Sequence, residues 1–291
     1  MLISDVTTVS VGLLIALMTA NYGNAGSGQT AMEAKDTGGM AVDKERVGDQ
    51  KVMKVLFIGN SQMGAFDLPL MMEVMSQSAP ANHPRLEIGR GIVQGKGLKG
   101  YWEAGEGEGT PRAMIAADKW DYVVIQEIFN ANKPEFDKYA EMFDELIRKH
   151  GSKTILFATA NVTQYYDASF KYPDSFKKLN DMQIAFGKKK RIPVAAAGYA
   201  WMRYLGPNPS EAQILDLYHE DKGHPGKKGT YIYACLLYAC ITGLNPAGLT
   251  SEFKDLQPAG RTSEFKGVVI SKEEAAKMQK AAWEQYLETS A

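Results

Sequence analysis

The sequence predicts a doubly wound α/β domain, and three observations carry that expectation. Short, nearly continuous apolar runs recur along the chain, and helical patterns of roughly 10 to 15 residues separate them. The composition, 45% hydrophobic and 23% charged over 291 residues, is that of a globular protein with a substantial core. Val52 to Ile58 (VMKVLFI) ends at Gly59 and reads as a strand buried on both faces of a parallel sheet. Leu68 to Met75 has helical spacing with Pro69 near its start, so the loop containing Ser61 joins that strand to a helix. A second strand precedes Val93. The alternation returns as Tyr122 to Gln126 before Phe136 to Lys149, and as Thr154 to Ala158 before Ser175 to Lys190. A strand at Pro193 to Ala197 and a helix from Lys227 to Cys240 complete the series, with Gly243 and Pro246 as stop signals. In such sheets, sites gather at the carboxyl ends of the strands.

The ends of the chain read differently. Val9 to Met18 (VSVGLLIALM) has the length of the apolar part of a secretory signal and is short for a bilayer span. Gly23 and Ala25 suit cleavage after Ala25, although the preceding segment carries Asp5 and no Lys or Arg. Residues 1–25 are therefore expected to direct export, periplasmic or secreted, and 26–50 to form a flexible leader. The absence of a cysteine near the end of the apolar run leaves no thiol to carry a lipid, so no stable membrane insertion is expected after processing. Residues 51–250 are expected to form the main domain. In the 251–291 extension, Ser271 to Glu288 begins Ser-x-x-Glu, the signature of a capped helix, and is expected to pack on that domain.

Several function classes are disfavoured. With 33 Lys+Arg against 34 Asp+Glu, the net charge of −1 offers no electrostatic footprint for nucleic acid. Cys235 and Cys240 lie five apart in a helical segment, which excludes a disulfide framework and a cysteine-based zinc site. His83, His150 and His219 lack partners at metal-ligand spacing, so no catalytic metal is expected. Gly95-Lys96-Gly97-Leu98-Lys99-Gly100 matches G-x-G-x-x-G literally, but it does not follow the first strand, and no acidic strand end lies about 20 residues on. Gly226-Lys227-Lys228-Gly229-Thr230 lacks the spacer and ending of a phosphate loop and reads as a helix start. No cofactor is expected.

The residues that carry chemistry are Ser61, Asp221 and His224. Ser61 follows the first strand in Ile58-Gly59-Asn60-Ser61, at the carboxyl edge of the sheet. A serine hydroxyl needs a general base to become a nucleophile at neutral pH, and the base needs an orienting partner. Asp221-Lys222-Gly223-His224-Pro225 supplies both: across a spacing of three, the carboxylate can hold one imidazole nitrogen while the other faces the serine. The G-x-S-x-G elbow is not satisfied, because Met63 stands two residues after Ser61.

Those two blocks, Gly59-Asn60-Ser61 and Asp221-Lys222-Gly223-His224-Pro225, resemble the first and last blocks of the SGNH/GDSL hydrolase superfamily, over roughly Lys51 to Gly243. The resemblance implies a flavodoxin-like three-layer α/β/α sandwich with a parallel sheet of about five strands. It implies ester hydrolysis by serine without metal or organic cofactor. It also implies an oxyanion hole made by the serine amide, a glycine amide of the second block and an asparagine side chain of the third. Val93-Gln94-Gly95-Lys96-Gly97-Leu98 resembles the second block, with Gly95 as the donor and Gly97 the fallback. The third block departs: Trp120-Asp121-Tyr122-Val123-Val124-Ile125-Gln126-Glu127 contains no Gly-x-Asn, a departure that resembles a bacterial subgroup pairing Gly-Asn-Ser with a strand ending in Gln. A glutamine amide donates the same N–H one methylene further out, which makes Gln126 the candidate third donor. Asn130 and Asn161 also follow strands and stay open for that role.

The expected substrate is a small acyl ester, of the acetyl type, with carbohydrate esters favoured by the expected export and by aromatic residues near loops. Asn60, Trp102 and Tyr165 are the candidate substrate contacts, and Tyr101, Tyr166 and Trp201 share that setting. The competing class is a binding module on the same scaffold that has lost turnover and binds an acylated glycan or a protein partner. The sequence is silent on oligomeric state.

Overall fold

The computed structural model describes residues 50–165, 167–254 and 267–290. The expected signal segment, nearly all of the leader and Tyr166 lie outside these described residues. The chain enters the fold at β1 (Val52–Gly59), a short α1 (Ser61–Gly64) and α2 (Leu68–Gln77), then β2 (Arg85–Ile92), α3 (Leu98–Glu103) and α4 (Pro111–Ala117). It continues through β3 (Tyr122–Gln126), α5 (Lys133–Lys149), β4 (Lys153–Ala158), α6 (Asp174–Lys190), β5 (Val194–Ala196), α7 (Ala197–Leu205) and α8 (Glu211–Leu215). It ends with α9 (Lys227–Thr242), β6 (Glu252–Phe253), β7 (Val268–Val269) and α10 (Lys272–Ser290).

Five parallel strands form the central sheet in the order β2-β1-β3-β4-β5. Alternation of side chains about each strand sends Val55 and Phe57 of β1 to one face and Leu56 and Ile58 to the other, and all four are buried. On the first face lie Met71, Met72 and Met75 of α2, Trp201 of α7, Tyr231 to Tyr238 of α9 and Met278 of α10. On the second lie Leu98 and Tyr101 of α3, Ile115 of α4 and Phe136, Phe143 and Ile147 of α5. The α6 helix serves both, with Phe176 on one side and Phe186 on the other. This is the three-layer α/β/α sandwich expected from the sequence.

Local chemistry sets the helix ends. The Asn132 side chain accepts from the Glu135 amide at 3.0 Å, and a proline occupies the first turn, so α5 starts three residues before its apolar run. Gly243, at φ +72°, ends α9 in the left-handed region. Within the Gly226 to Thr230 motif, a Cβ on Gly229 would fall 2.2 Å from the Trp201 ring and 2.3 Å from the Leu217 carbonyl. That glycine is a packing residue of the α9 start.

Two expectations change. Trp201, expected near a loop, is buried in α7 with its indole N–H on the Gly229 carbonyl at 3.1 Å. Tyr101 and Trp102 belong to the helix α3. The C-terminal helix α10 packs within the first core, and its Gln279 donates to the Tyr231 hydroxyl at 2.7 Å and the Leu249 carbonyl at 2.9 Å.

Candidate active site

The sheet register builds the site. Gly59 of β1 pairs with Ile92 of β2, and Ile58 pairs with Ile125 of β3, so the three strands end together. The residues that follow them, Asn60-Ser61, Val93 to Gly97 and Gln126-Glu127, therefore share one edge. The strand order reverses between β1 and β3, the place where open α/β sheets leave a crevice.

Ser61 opens α1, and its Oγ lies 2.8 Å from His224 Nε2. His224 Nδ1 lies 2.8 Å from Asp221 Oδ2. The structure thus joins Ser61 to His224 and Asp221, the nearer of which is 160 residues further along the chain, in a hydrogen-bonded line. Burial alone would raise the Asp221 carboxyl pKa, but the amides of His224 and Gly223 and the His224 ring outweigh it and hold the group below the usual carboxylate range. Asp221 is thereby kept as an anion facing the imidazole.

The loop that carries this pair is clamped on two sides. Gln62 donates from its side chain to the Gly223 carbonyl at 2.9 Å, tying the nucleophile helix to the histidine loop. Thr163, after β4, donates to the Lys222 carbonyl from its amide at 3.3 Å and from its hydroxyl at 2.5 Å. Lys222 has φ +56°, and its ammonium stands 3.6 Å from the centre of the exposed Tyr165 ring. Tyr165 in turn donates to Glu211 at 2.9 Å. Among the expected substrate contacts, Tyr165 is thus beside the histidine loop, whereas Trp102 packs edge-on against Phe143 with the Arg112 guanidinium 4.3 Å from its ring.

The candidate oxyanion donors differ in their surroundings. The Ser61 amide stands at the first position of a helix, where no intrahelical acceptor is available to it. Gly95 lines the same small cavity as Ser61 and His224, at φ +65° in the left-handed region that favours glycine. Gln126 is 0% exposed and does not line that cavity: Oε1 accepts from the Asn60 backbone N–H at 2.9 Å and Nε2 donates to the Glu127 carbonyl at 2.6 Å. In this arrangement Gln126 fixes the residue before the nucleophile and does not present a donor to the cavity. Asn60 is likewise engaged, accepting from the Gln62 amide at 3.0 Å and donating to the Lys96 carbonyl at 2.8 Å. Asn161 accepts from the Val162 amide at 2.8 Å, and Asn130 is exposed.

Sequence reasoning passed over Glu127. It is 3% exposed, and its Oε1 accepts the Leu98 amide at 3.1 Å and the Ile128 amide at 2.7 Å. A Cβ on Gly97 would lie 1.9 Å from that oxygen, so the glycine makes room for the carboxylate. Burial, only partly offset by the two amides, pushes the Glu127 pKa up to about 7. The pair Gln126-Glu127 therefore anchors both neighbouring loops to the end of β3. The available signal was an acidic residue directly after an otherwise apolar strand.

The fold and site define the class to which the chain is comparable: its architecture is that of the SGNH hydrolases. A protein from Slackia heliotrinireducens provisionally described as an SGNH hydrolase is 17% identical with a TM-score of 0.53, the match covering 66% of this chain and 100% of that one. An acetylxylan esterase from Geobacillus stearothermophilus is 14% identical with a TM-score of 0.50, covering 66% of this chain and 95% of that one. At such identities the likeness establishes the fold. No protein-family model matches the sequence, and a comparison with curated proteins finds no match. Among the described residues, no helix is long and apolar enough to cross a membrane.

Proposed function

We propose that the protein is a serine esterase that removes small, acetyl-type acyl groups through an acyl-enzyme, with carbohydrate esters among its substrates. The observation that carries this reading is the His224 imidazole, 2.8 Å from Ser61 Oγ on one side and 2.8 Å from the Asp221 carboxylate on the other. His224 takes the Ser61 proton as Oγ attacks the ester carbonyl, and the resulting imidazolium faces the Asp221 anion. The oxyanion of the tetrahedral intermediate is held by the Ser61 and Gly95 amides. The intermediate collapses as His224 returns the proton to the departing alcohol, and water, activated by the same imidazole, then cleaves the acyl-Ser61 ester. Gln126 acts in this reading by fixing Asn60 through its side-chain oxygen. The chemistry draws on this chain's side chains and amides alone.

The acetylxylan esterase among the structural neighbours acts on an acetylated polysaccharide, and the same class of substrate suits an exported enzyme, as the N-terminal segment suggests. The test is hydrolysis of p-nitrophenyl acetate by purified wild type beside Ser61→Ala. Turnover by wild type, with loss of about 10⁴-fold or more in the variant, supports the esterase. Equal rates for the two proteins would move the acylated-glycan-binding module to first place.

A further inference from the structure

The Ser61–His224 pair forms a wall shared by two concavities, and their linings differ in chemistry. One, of about 190 Å³, is bounded beyond the shared pair by Gly95, Gly223, the apolar Ile128, Phe129 and Val162, and by Asn60 and Gln62, whose side-chain amides donate to the Lys96 and Gly223 carbonyls. The other, of about 280 Å³, is bounded by Gly64, Ala65, Gln94, His219 and Asp221. Consecutive residues Gln94 and Gly95 face opposite lobes, so the chain at that point is the partition between them. The Gln94 amide nitrogen lies beside α1, 3.5 Å from where a Cβ on Gly64 would be. His219 is held in the second lobe by Phe66, with ring centroids 5.6 Å apart, and by Asp221 Oδ2, 3.5 Å from its Nδ1.

Resting on the esterase reading, we infer that the first lobe receives the acyl group and the second the alcohol. Phe129 limits acyl length, and Gln94, with His219 beside it, selects a hydroxyl-bearing alcohol. The chemistry of acyl transfer fixes the assignment. The carbonyl oxygen must reach the amides of Ser61, on the shared wall, and of Gly95, which lines the first lobe and not the second, and this brings the acyl carbon chain against Ile128, Phe129 and Val162. The bond that breaks joins the carbonyl carbon to the alcohol oxygen, which leaves carrying the proton from His224 and so departs on the other side. An apolar wall discriminates among chains by one methylene at a time, whereas an amide and an imidazole reward hydroxyl groups. The substrate class is therefore a short, uncharged acyl ester of a polyhydroxylated alcohol.

Initial rates on p-nitrophenyl acetate, butyrate and hexanoate, and on a monosaccharide carrying a single acetyl ester with its other hydroxyls free, test this division. The acetate-to-hexanoate ratio of kcat/KM should fall about tenfold in Phe129→Ala and rise in Phe129→Trp, which fills the lobe. Gln94→Ala should raise KM on the sugar acetate about tenfold more than on p-nitrophenyl acetate. Unchanged chain-length ratios in both Phe129 variants, or a Gln94→Ala defect equal on the two alcohols, overturn the division while leaving the esterase in place. A wild type that is inactive on all four esters overturns the esterase reading and this inference with it.

Discussion

Asp221 is the residue at which the chemistry is most exposed to test. Its Oδ1 accepts the amides of Gly223 and His224 at 2.9 and 3.0 Å while Oδ2 holds the imidazole, so one carboxylate both shapes the loop and sets the tautomer. Asp221→Asn should lower kcat on p-nitrophenyl acetate by about 10⁴-fold with little change in KM, since an amide stabilises the wrong tautomer and cannot face an imidazolium. A loss below tenfold would remove Asp221 from the triad. Because the carboxyl is held below its ordinary range, its contribution to stability is complete above that range and is lost only as the pH falls through the lowered value. These three residues were legible because two of them fall within one four-residue stretch and the third directly follows an unmistakable strand. The orientation of Gln126 was not, since it depends on Asn60, 66 positions away, and on a carbonyl whose direction only the end of β3 defines.

At the level of elements, the end of β3 organises the loops around the site, and Glu127 gives it a pH signature. Its carboxyl rises from the ordinary 4.5 to about 7 on burial, so the folded protein keeps a proton that the unfolded chain releases between those values. Stability from this group is complete below about 4.5 and declines as the pH climbs to about 7. Glu127→Gln keeps an oxygen for the Leu98 and Ile128 amides but cannot ionise. Across that window, thermal melting of wild type should fall relative to this variant; parallel curves would contradict the buried, titrating carboxyl. The strands and long helices were readable because hydrophobic periodicity reports burial directly. The α7 helix was not, because it leaves β5 without an intervening residue and without a side-chain cap, so no start signal marks it although Gly206 and Pro207 close it. The six-residue α3 is begun by Gly97 with no side-chain cap and was hidden for the same reason.

Over the whole molecule, the C-terminal helix is bound into the same core that supports the sheet. Met278 of α10 is fully buried beside α9, and Gln279 links Gly248, Leu249 and Tyr231. Met278→Ala should cost about 2–5 kcal/mol in urea unfolding, in a single transition seen alike by far-UV circular dichroism and tryptophan fluorescence. An early separate transition would make α10 an independent appendage. The sequence pattern located this helix but not its depth, because an alanine-rich face with one methionine reads much the same against a core as over a surface. The central claim, that Ser61 is the nucleophile of a working triad, is tested most directly by covalent labelling of the folded wild-type protein with a fluorophosphonate, followed by peptide mass mapping. The account predicts a single adduct on Ser61, absent in Ser61→Ala and formed far more slowly in Asp221→Asn; an unmodified Ser61, or an adduct on another serine, would contradict it.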